Sequence, residues 1–195
     1  FMKGMKKFLV GLLAALSVFS ASLAFVGCGG TDSSSSSSSS APSQPKGVVY
    51  EIVEGTAQVV DYDGTETSVT IEATYEGVAV TKIGDNAFKG CTSLTEIVIP
   101  DSVTVIGKSA FEDCRGFEEF VIPDTVTSIG KNAFLNCTSL TSVTIGSGVT
   151  SIGDGAFDYS TALNSIAFNG TKAQWNKIDI ADSWLTQVQL VTKVV

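Results

Sequence analysis

A unit of 23 residues recurs four times without insertion or deletion, and no other feature limits the fold of this chain so strongly. The four units occupy residues 80–102, 103–125, 126–148 and 149–171. A unit this short cannot bury its own apolar side, so consecutive copies must stack and shield one another from water. The sequence therefore predicts a β-rich solenoid, in which equivalent residues of successive units form columns along one axis.

Each unit ends in a short stretch in which two apolar residues alternate with other residues, the period that one buried face of a β-strand requires. The alternating pairs are Ile97 and Ile99, Phe120 and Ile122, Val143 and Ile145, and Ile166 and Phe168. Pro100 and Pro123 follow two of these stretches, and proline commonly ends a strand. An Ala-Phe pair in the middle of each unit indicates a short helical turn whose ring fills the interior. We therefore predict one parallel strand and one short helical turn per repeat.

The recurring pattern I-G-x-x-A-F-x-x-C-x-x-L-x-x-[IV]-x-I-P resembles the leucine-rich repeats of BspA-like bacterial surface proteins. The period also falls within the range of leucine-rich repeats, which is roughly 20–29 residues. The resemblance covers residues 80–171 closely and residues 50–175 more loosely. It implies a leucine-rich-repeat solenoid with a binding or adhesion role at the cell surface.

The segments on either side of the four repeats are expected to cap the solenoid, because uncapped end repeats would expose apolar surface. Residues 47–79 are interpreted as an N-terminal cap with a degenerate repeat, and residues 172–195 as a C-terminal cap. In the C-terminal cap we expect a short helix around residues 172–177 and a final strand within residues 187–194.

The first 27 residues have the layout of an export signal, with basic residues, then an apolar stretch, then small residues. Phe25-Val26-Gly27-Cys28 resembles a bacterial lipobox, in which the cysteine receives a lipid and becomes the new N-terminus. We predict a lipoprotein signal peptide over residues 1–27, lipidation of Cys28, and a flexible Ser- and Pro-rich linker over residues 28–46. The chain would then reach the membrane through an N-terminal lipid and face outward from the bacterial cell envelope. An uncleaved anchor, or a secreted protein in which Cys28 is incidental, are the alternatives.

Composition excludes several functional classes. The sequence has no histidine and a formal net charge of -8 at pH 7. Without histidine, the chain has no His-based acid–base catalysis and no Ser–His or Cys–His nucleophile pair. An acidic chain is also a poor partner for the phosphates of nucleic acid. Because no catalytic motif, metal-ligand spacing or cofactor fingerprint occurs either, we predict a protein that is not an enzyme and uses no metal, cofactor or nucleic acid.

Cys91, Cys114 and Cys137 occupy the same position in three repeats, and Ser160 takes that position in the fourth. Stacked rungs lie roughly 4.8 Å apart, within the Cα range that a disulfide allows, so distance does not forbid a bridge. Stacked side chains point in parallel, however, and three thiols cannot all pair. We interpret the column as buried thiols that pack as small apolar side chains, with metal binding as a weaker alternative.

Side chains between the buried strand residues project to the opposite face, which is the candidate binding surface. Its residues are Glu96, Val98, Glu119, Val121, Ser142 and Thr144, with Ser165 and Ala167 in the fourth repeat. A binding or adhesion module for an unknown protein or polysaccharide is the leading hypothesis. A structural subunit or spacer of an envelope complex is the second hypothesis, and an enzyme is the third. The face can also be no more than the solvent side of a sheet, because a fold does not by itself imply a function.

Overall fold

The computed structural model of the protein describes residues 47–181 and the backbone of Gln189–Leu190. The predicted signal peptide and the whole of the predicted linker, including Cys28, lie outside the described residues. Successive repeats stack as the rungs of a β-solenoid, which confirms the predicted fold class. Each rung has three sides, which we call side A, side B and side C.

Side A is a sheet whose strands come mainly from the start of each repeat. Its parallel part contains β5 (Val78–Ile83), β7 (Val105–Ile106), β9 (Ser128–Ile129), β11 (Ser151–Ile152) and β13 (Asp179–Ile180). The antiparallel hairpin of β1 (Val48–Val53) and β2 (Thr56–Tyr62) extends it at one end, and β4 (Thr74–Tyr75) pairs with β5. The sequence analysis missed the strands at the start of the repeats, which are only two residues long in the second, third and fourth repeats.

A column of threonines joins neighbouring repeats on side A. The hydroxyls of Thr104, Thr127 and Thr150 each donate to the carbonyl of the threonine one repeat earlier, at 3.2, 3.1 and 3.1 Å. The amides of the same residues donate to the same carbonyls at 2.8 Å. Each of these threonines thus makes two hydrogen bonds to one acceptor, which explains why threonine recurs at the second position of every unit.

Side B is built from the strands at the end of each repeat, and it is divided into two parallel sheets. One sheet contains β8 (Glu119–Ile122), β10 (Ser142–Ile145), β12 (Ser165–Phe168) and β14 (Gln189–Leu190). The other contains β3 (Ser68–Thr70) and β6 (Glu96–Val98). In the four-stranded sheet Ile122, Ile145 and Phe168 are aligned neighbours, as the repeat predicted.

Side C consists of turns, and the short helical turn that we predicted there is not confirmed. The amides of Phe88 and Phe111 donate to the carbonyls of Ala110 and Ala133 in the next repeat, both at 2.8 Å. Two positions of each turn have a positive φ; they are Asn86, Ser109, Asn132 and Gly155, and then Gly90, Asp113, Asn136 and Tyr159. Left-handed residues at two points interrupt the run of right-handed dihedrals that an α-helix requires.

The interior contains a column of aromatic rings that runs through all four repeats. Tyr62, Phe88, Phe111, Phe134 and Phe157 stack in this order, with ring centroids 5.4, 5.3, 5.2 and 5.1 Å apart. The four phenylalanines are buried, as the sequence predicted. Burial of each ring stabilises the fold by about 1.5–3 kcal/mol, and each aromatic pair adds about 0.5–1.5 kcal/mol. Because Tyr62 belongs to β2, the N-terminal hairpin continues this column beyond the first repeat.

Close stacking requires glycine where the chain leaves side A. A Cβ atom placed on Gly130 would lie 2.6 Å from the carbonyl carbon of Gly107 in the preceding repeat. A contact this short is far inside van der Waals distance. The recurrent glycine is therefore required by the approach of neighbouring backbones.

The segment after the fourth repeat begins with helix α1 (Lys172–Trp175), inside the range expected from the sequence. Thr171 forms a capping box with Gln174: its hydroxyl accepts from the Gln174 amide at 3.2 Å, and the Gln174 side chain accepts from the Thr171 amide at 2.8 Å. Trp175 packs against Phe168, with ring centroids 5.3 Å apart. β13 and β14 then continue sides A and B. Within residues 47–181, no helix is both long and apolar enough to cross a bilayer.

Candidate binding surface on side B

The residues predicted to form the binding face all lie on strands of side B, but on two different sheets. The strand pairs are Glu119 with Ser142 and Val121 with Thr144 on one sheet, and Glu96 with Ser68 and Val98 with Thr70 on the other. Ser165 and Ala167 continue the first sheet on β12. The structure therefore divides the predicted row into two patches.

Exposure differs along this face. Val121 is 63% exposed and Val98 is 48% exposed, and Glu96 and Glu119 are exposed as well. The residues of the third and fourth repeats are only partly exposed; they are Ser142, Thr144, Ser165 and Ala167. The part of side B formed by the first two repeats thus presents both negative charge and apolar surface to solvent.

A groove separates β6 from β8. β6 is at the end of the two-stranded sheet and β8 is at the end of the four-stranded sheet, so within the described residues no ladder joins them. These two strands are equivalent in consecutive repeats, and the corresponding strands of later repeats do pair. The groove has a volume of about 630 Å³ and is lined by residues 95–97 and 116–121.

The opening between the first two repeats is local. On side A, β5 pairs with β7, and on side C the amide of Phe88 reaches the carbonyl of Ala110. The repeats also touch just before the groove, where a Cβ atom on Gly116 would lie 2.5 Å from the carbonyl oxygen of Leu94. The chain segments therefore separate only after residues 94 and 116, along the strands of side B.

The second repeat has larger inward residues on side B than the third repeat has. Phe117 and Phe120 stand where the third repeat has Leu140 and Val143. The two rings meet edge to face, with centroids 5.1 Å apart. Because two rings at these positions need more room than Leu and Val, we attribute the opening to them. Ile97 on β6 is accordingly only partly buried, whereas Phe120 is buried.

The walls of the groove carry negative charge. Glu96, Glu118 and Glu119 are exposed lining residues, and the ion pairs found among the described residues involve other acids. The Glu96 carboxylate accepts a hydrogen bond from the Ser68 hydroxyl at 3.1 Å. Arg115, which is adjacent in sequence to Gly116, lies 3.0 Å from the carboxylate of Asp113. Three carboxylates around one cleft favour a cationic partner.

The sequence analysis missed this groove because it treated side B as one row of strands. The signal was present in residues 116–120, where the second repeat reads GFEEF and the third repeat reads SLTSV at 139–143. The second repeat departs from the third in volume and in charge within the same five positions. Neither difference alters the period, so neither changes a fold prediction made from the recurring residues.

The cysteine column is confirmed as part of the core. The side chains of Cys91, Cys114 and Cys137 are buried. Three members of the column donate to the carbonyl of the phenylalanine in the preceding repeat; the pairs are Cys114 with Phe88 at 2.9 Å, Cys137 with Phe111 at 3.2 Å, and Ser160 with Phe134 at 2.8 Å. Burial raises the pKa of the Cys137 thiol to about 12. Among the described residues, no group of three or more metal-ligating side chains comes together.

Comparison with known families gives a match to the "BspA type Leucine rich repeat region" over residues 67–191, in six copies. The match covers more than half of the chain and extends beyond the four regular units at both ends. This result confirms the resemblance seen in the recurring pattern. A search of curated proteins found no match.

Several solved structures share the solenoid. A leucine-rich repeat protein from Bacteroides capillosus is 31% identical with a TM-score of 0.59, over 66% of this chain and 98% of that chain. A leucine rich cell surface protein from Faecalibacterium prausnitzii is 28% identical with a TM-score of 0.55 over 70% of this chain, which spans only 41% of that protein. The T. pallidum leucine rich repeat protein is 22% identical with a TM-score of 0.52, over 70% of this chain and 79% of that chain, and shows the fold alone.

Proposed function

The chain belongs to the BspA type leucine-rich repeat family, and on this basis we propose that it is a lipid-anchored surface protein that binds a protein or polysaccharide through side B. Repeat modules of this kind present extended surfaces to partners. The similarity to a cell surface protein of Faecalibacterium prausnitzii supports an extracytoplasmic location.

The observation that carries the proposal is the exposed surface formed by Glu96, Val98, Glu119 and Val121. Exposed valines on paired strands are held rigidly, so a partner that covers them gains apolar burial with little loss of conformational entropy. The neighbouring carboxylates supply specificity and attract a partner of opposite charge. Ser142 and Thr144 extend this surface with hydroxyl groups.

Binding is favoured over catalysis by the chemistry of the side chains available. The sequence has no histidine, and the thiols of Cys91, Cys114 and Cys137 are buried. Among the described residues, side B therefore presents carboxylates and hydroxyls, but neither a histidine nor a solvent-accessible thiol. These are the groups that commonly form a pair of nucleophile and base. Adhesion to a surface requires none of these groups.

A binding screen tests the proposed surface. The exported chain is measured by biolayer interferometry against matrix proteins and cell-wall glycans. In Val121→Asp, a charge enters the centre of the contact, and affinity for the partner should fall by about tenfold or more. Tyr159→Asp, which changes a side chain 74% exposed on side C, is the matched control and should bind normally.

Two outcomes would contradict this placement of the binding surface. An equal loss in both variants would indicate a general effect of added charge. Undiminished binding in Val121→Asp would place the partner elsewhere, and co-purification of envelope proteins with that variant would favour a structural role in an envelope complex.

The lipid anchor has a separate test. Cells that express the wild-type chain or Cys28→Ala are fed a fatty acid that carries a chemical label. We expect the label and membrane association in the wild type alone, because a lipid needs the thiol of Cys28. Equal labelling of both chains would end the proposal of an anchor at this position.

A further inference from the structure

We infer that the groove between β6 and β8 binds an extended, basic polypeptide segment of the partner, which pairs with the open edge of β8. This inference rests on the proposed binding function and specifies its site and the chemistry of its ligand. Three features of the groove lead to it: an open strand edge, an apolar floor and an acidic rim.

The open edge supplies the hydrogen bonds. β8 pairs with β10 on one side only, and within the described residues its other side faces the groove. Alternate residues of an edge strand have amide and carbonyl groups without a partner strand. An extended peptide uses these groups when it adds to a sheet, and such main-chain hydrogen bonds provide affinity that does not depend on sequence.

The floor and the volume of the groove suit a short extended segment. Ile97 lies partly exposed in the floor, with Phe117 and Phe120 buried beneath it, so a side chain of an added strand can pack against Ile97. The volume of about 630 Å³ falls in the range of roughly 300–1,000 Å³ that is typical of ligand clefts. The exposed side chain of Val121 continues the apolar surface at the end of β8.

The rim determines the charge of the ligand. Glu96, Glu118 and Glu119 are exposed along the groove, and the chain as a whole has a formal net charge of -8. Lysine or arginine at the alternate positions of an extended segment would lie near these carboxylates. A second copy of this acidic chain, or an anionic glycan, would be repelled.

The opening and the charge occur at the same contact between repeats. In the third repeat, Thr141 and Ser142 stand where the second repeat has Glu118 and Glu119, and β10 is paired on both sides. A groove that resulted from misfitting volume alone would have no reason to carry the acids as well. The combination favours a built site for a cationic strand.

The test uses a fluorescent hexapeptide of alternating lysine and valine with the exported chain. We expect saturable binding by fluorescence anisotropy that weakens with added salt. A hexapeptide with glutamate in place of lysine should not bind. A lysine-valine peptide with alternate amides methylated should bind about tenfold more weakly or worse, because it has lost the hydrogen bonds to β8.

Two variants of the chain separate the shape of the groove from its charge. Phe117→Leu/Phe120→Val introduces the residues of the third repeat and leaves all charges in place. We expect β6 to approach β8 in this variant, and peptide binding should weaken by about tenfold. Glu118→Gln/Glu119→Gln keeps the opening and should reduce binding by about fivefold at low salt. Glu51→Gln/Glu54→Gln, which removes the same charge from exposed positions of the N-terminal hairpin, should bind as the wild type does.

Hydrogen exchange locates the peptide. Amides of residues 118–122 should exchange more slowly in the complex, whereas those of the corresponding residues 141–145 should not change. Equal binding of the acidic or methylated peptide, or protection elsewhere, would overturn the inference. The inference would also be overturned if the Glu118→Gln/Glu119→Gln variant associated with itself while its peptide binding stayed unchanged. The carboxylates would then serve only to keep the open edge of β8 from pairing with another copy of the chain.

The inference and the proposed function can fail separately. A surface partner that binds Phe117→Leu/Phe120→Val as tightly as the wild type leaves the function standing and excludes the groove as its site. If the natural partner is a glycan that binds at side B, the assignment of a polypeptide ligand is wrong. If no partner is found but the hexapeptide binds the groove as described, the inference about ligand chemistry stands on its own.

Discussion

The same 23-residue unit forms two different contacts. The second and third repeats are joined on all three sides, whereas the first and second repeats are joined on sides A and C but not on side B. In the closed contact, β8 pairs with β10 and places Phe120 beside Val143. In the open contact, sides A and C are joined as elsewhere, while β6 and β8 belong to different sheets. The difference teaches that sides A and C, with the aromatic column, fix the spacing of the repeats, so that side B can open without loss of the solenoid.

The largest expected effect comes from breaking the aromatic column inside the closed contact. Phe134 stacks on Phe111 and Phe157 and also meets Phe120, with centroids 4.7 Å apart. Phe134→Ala should lower the free energy of unfolding by about 3–5 kcal/mol, since it leaves a cavity between two repeats. Urea unfolding followed by circular dichroism measures this change. Tyr159→Ala on side C should stay within about 0.5 kcal/mol of the wild type, and a similar loss in both variants would contradict the role given to the column.

A smaller loss of stability is expected from a substitution designed to open the contact between the second and third repeats on side B. Val143→Phe places on β10 the ring that β8 has at Phe120. Overpacking should cost about 1–3 kcal/mol, and amides of residues 142–145 should lose protection from hydrogen exchange. Val143→Ile, which adds a single carbon as in the fourth repeat at Ile166, is the control. Full protection in Val143→Phe would show that a single ring at this strand position does not open the contact.

The comparison also shows what a repeat sequence can predict. The solenoid, the buried phenylalanines and the aligned Ile122, Ile145 and Phe168 were predictable because their columns recur, and a recurrent position needs only one physical explanation. The side A strands at the start of the second to fourth repeats were missed because a two-residue strand such as Ser128–Ile129 is too short for an alternating pattern. The helical turns expected on side C are not confirmed. Most of the left-handed positions there hold Asn, Asp or Gly, which favour a positive φ, whereas Ser109 and Tyr159 do not signal one by their type.

The binding face was only partly predictable for a different reason. Its residues follow from strand alternation, and Glu119 and Val121 are exposed as expected. The groove depends on how one repeat differs from its neighbours, through Phe117, Glu118 and Phe120. Differences of volume change the distance between rungs, and this distance cannot be read from a period.

The pH dependence of stability tests the burial of the cysteine column in the closed contact. Burial raises the pKa of Cys137 from an ordinary value of 9.0 to about 12. Above pH 9 the unfolded chain releases this proton while the folded chain retains it, so stability decreases as pH rises from 9 toward 12. Between pH 9 and pH 10 the wild type should lose about 1 kcal/mol more than Cys137→Ser. Urea midpoints at both pH values measure this difference, and parallel curves for the two proteins would show that the thiol is not protected from solvent.

The smallest effect on stability is expected from an ion pair on side C that joins the first and second repeats. The Lys89 ammonium lies 2.8 Å from the Glu112 carboxylate of the next repeat, with 38% and 14% of the two side chains exposed. Lys89→Met keeps the apolar stem and removes the charge, and it should cost less than about 1 kcal/mol, as is usual for pairs near the surface. Lys82→Met, whose partner Asp85 lies 3.7 Å away in the same repeat, is the control for loss of a cation. The amides of residues 86–90 could exchange faster in Lys89→Met and not in Lys82→Met. Charge pairing would then contribute, in addition to ring stacking, to holding the first two repeats together.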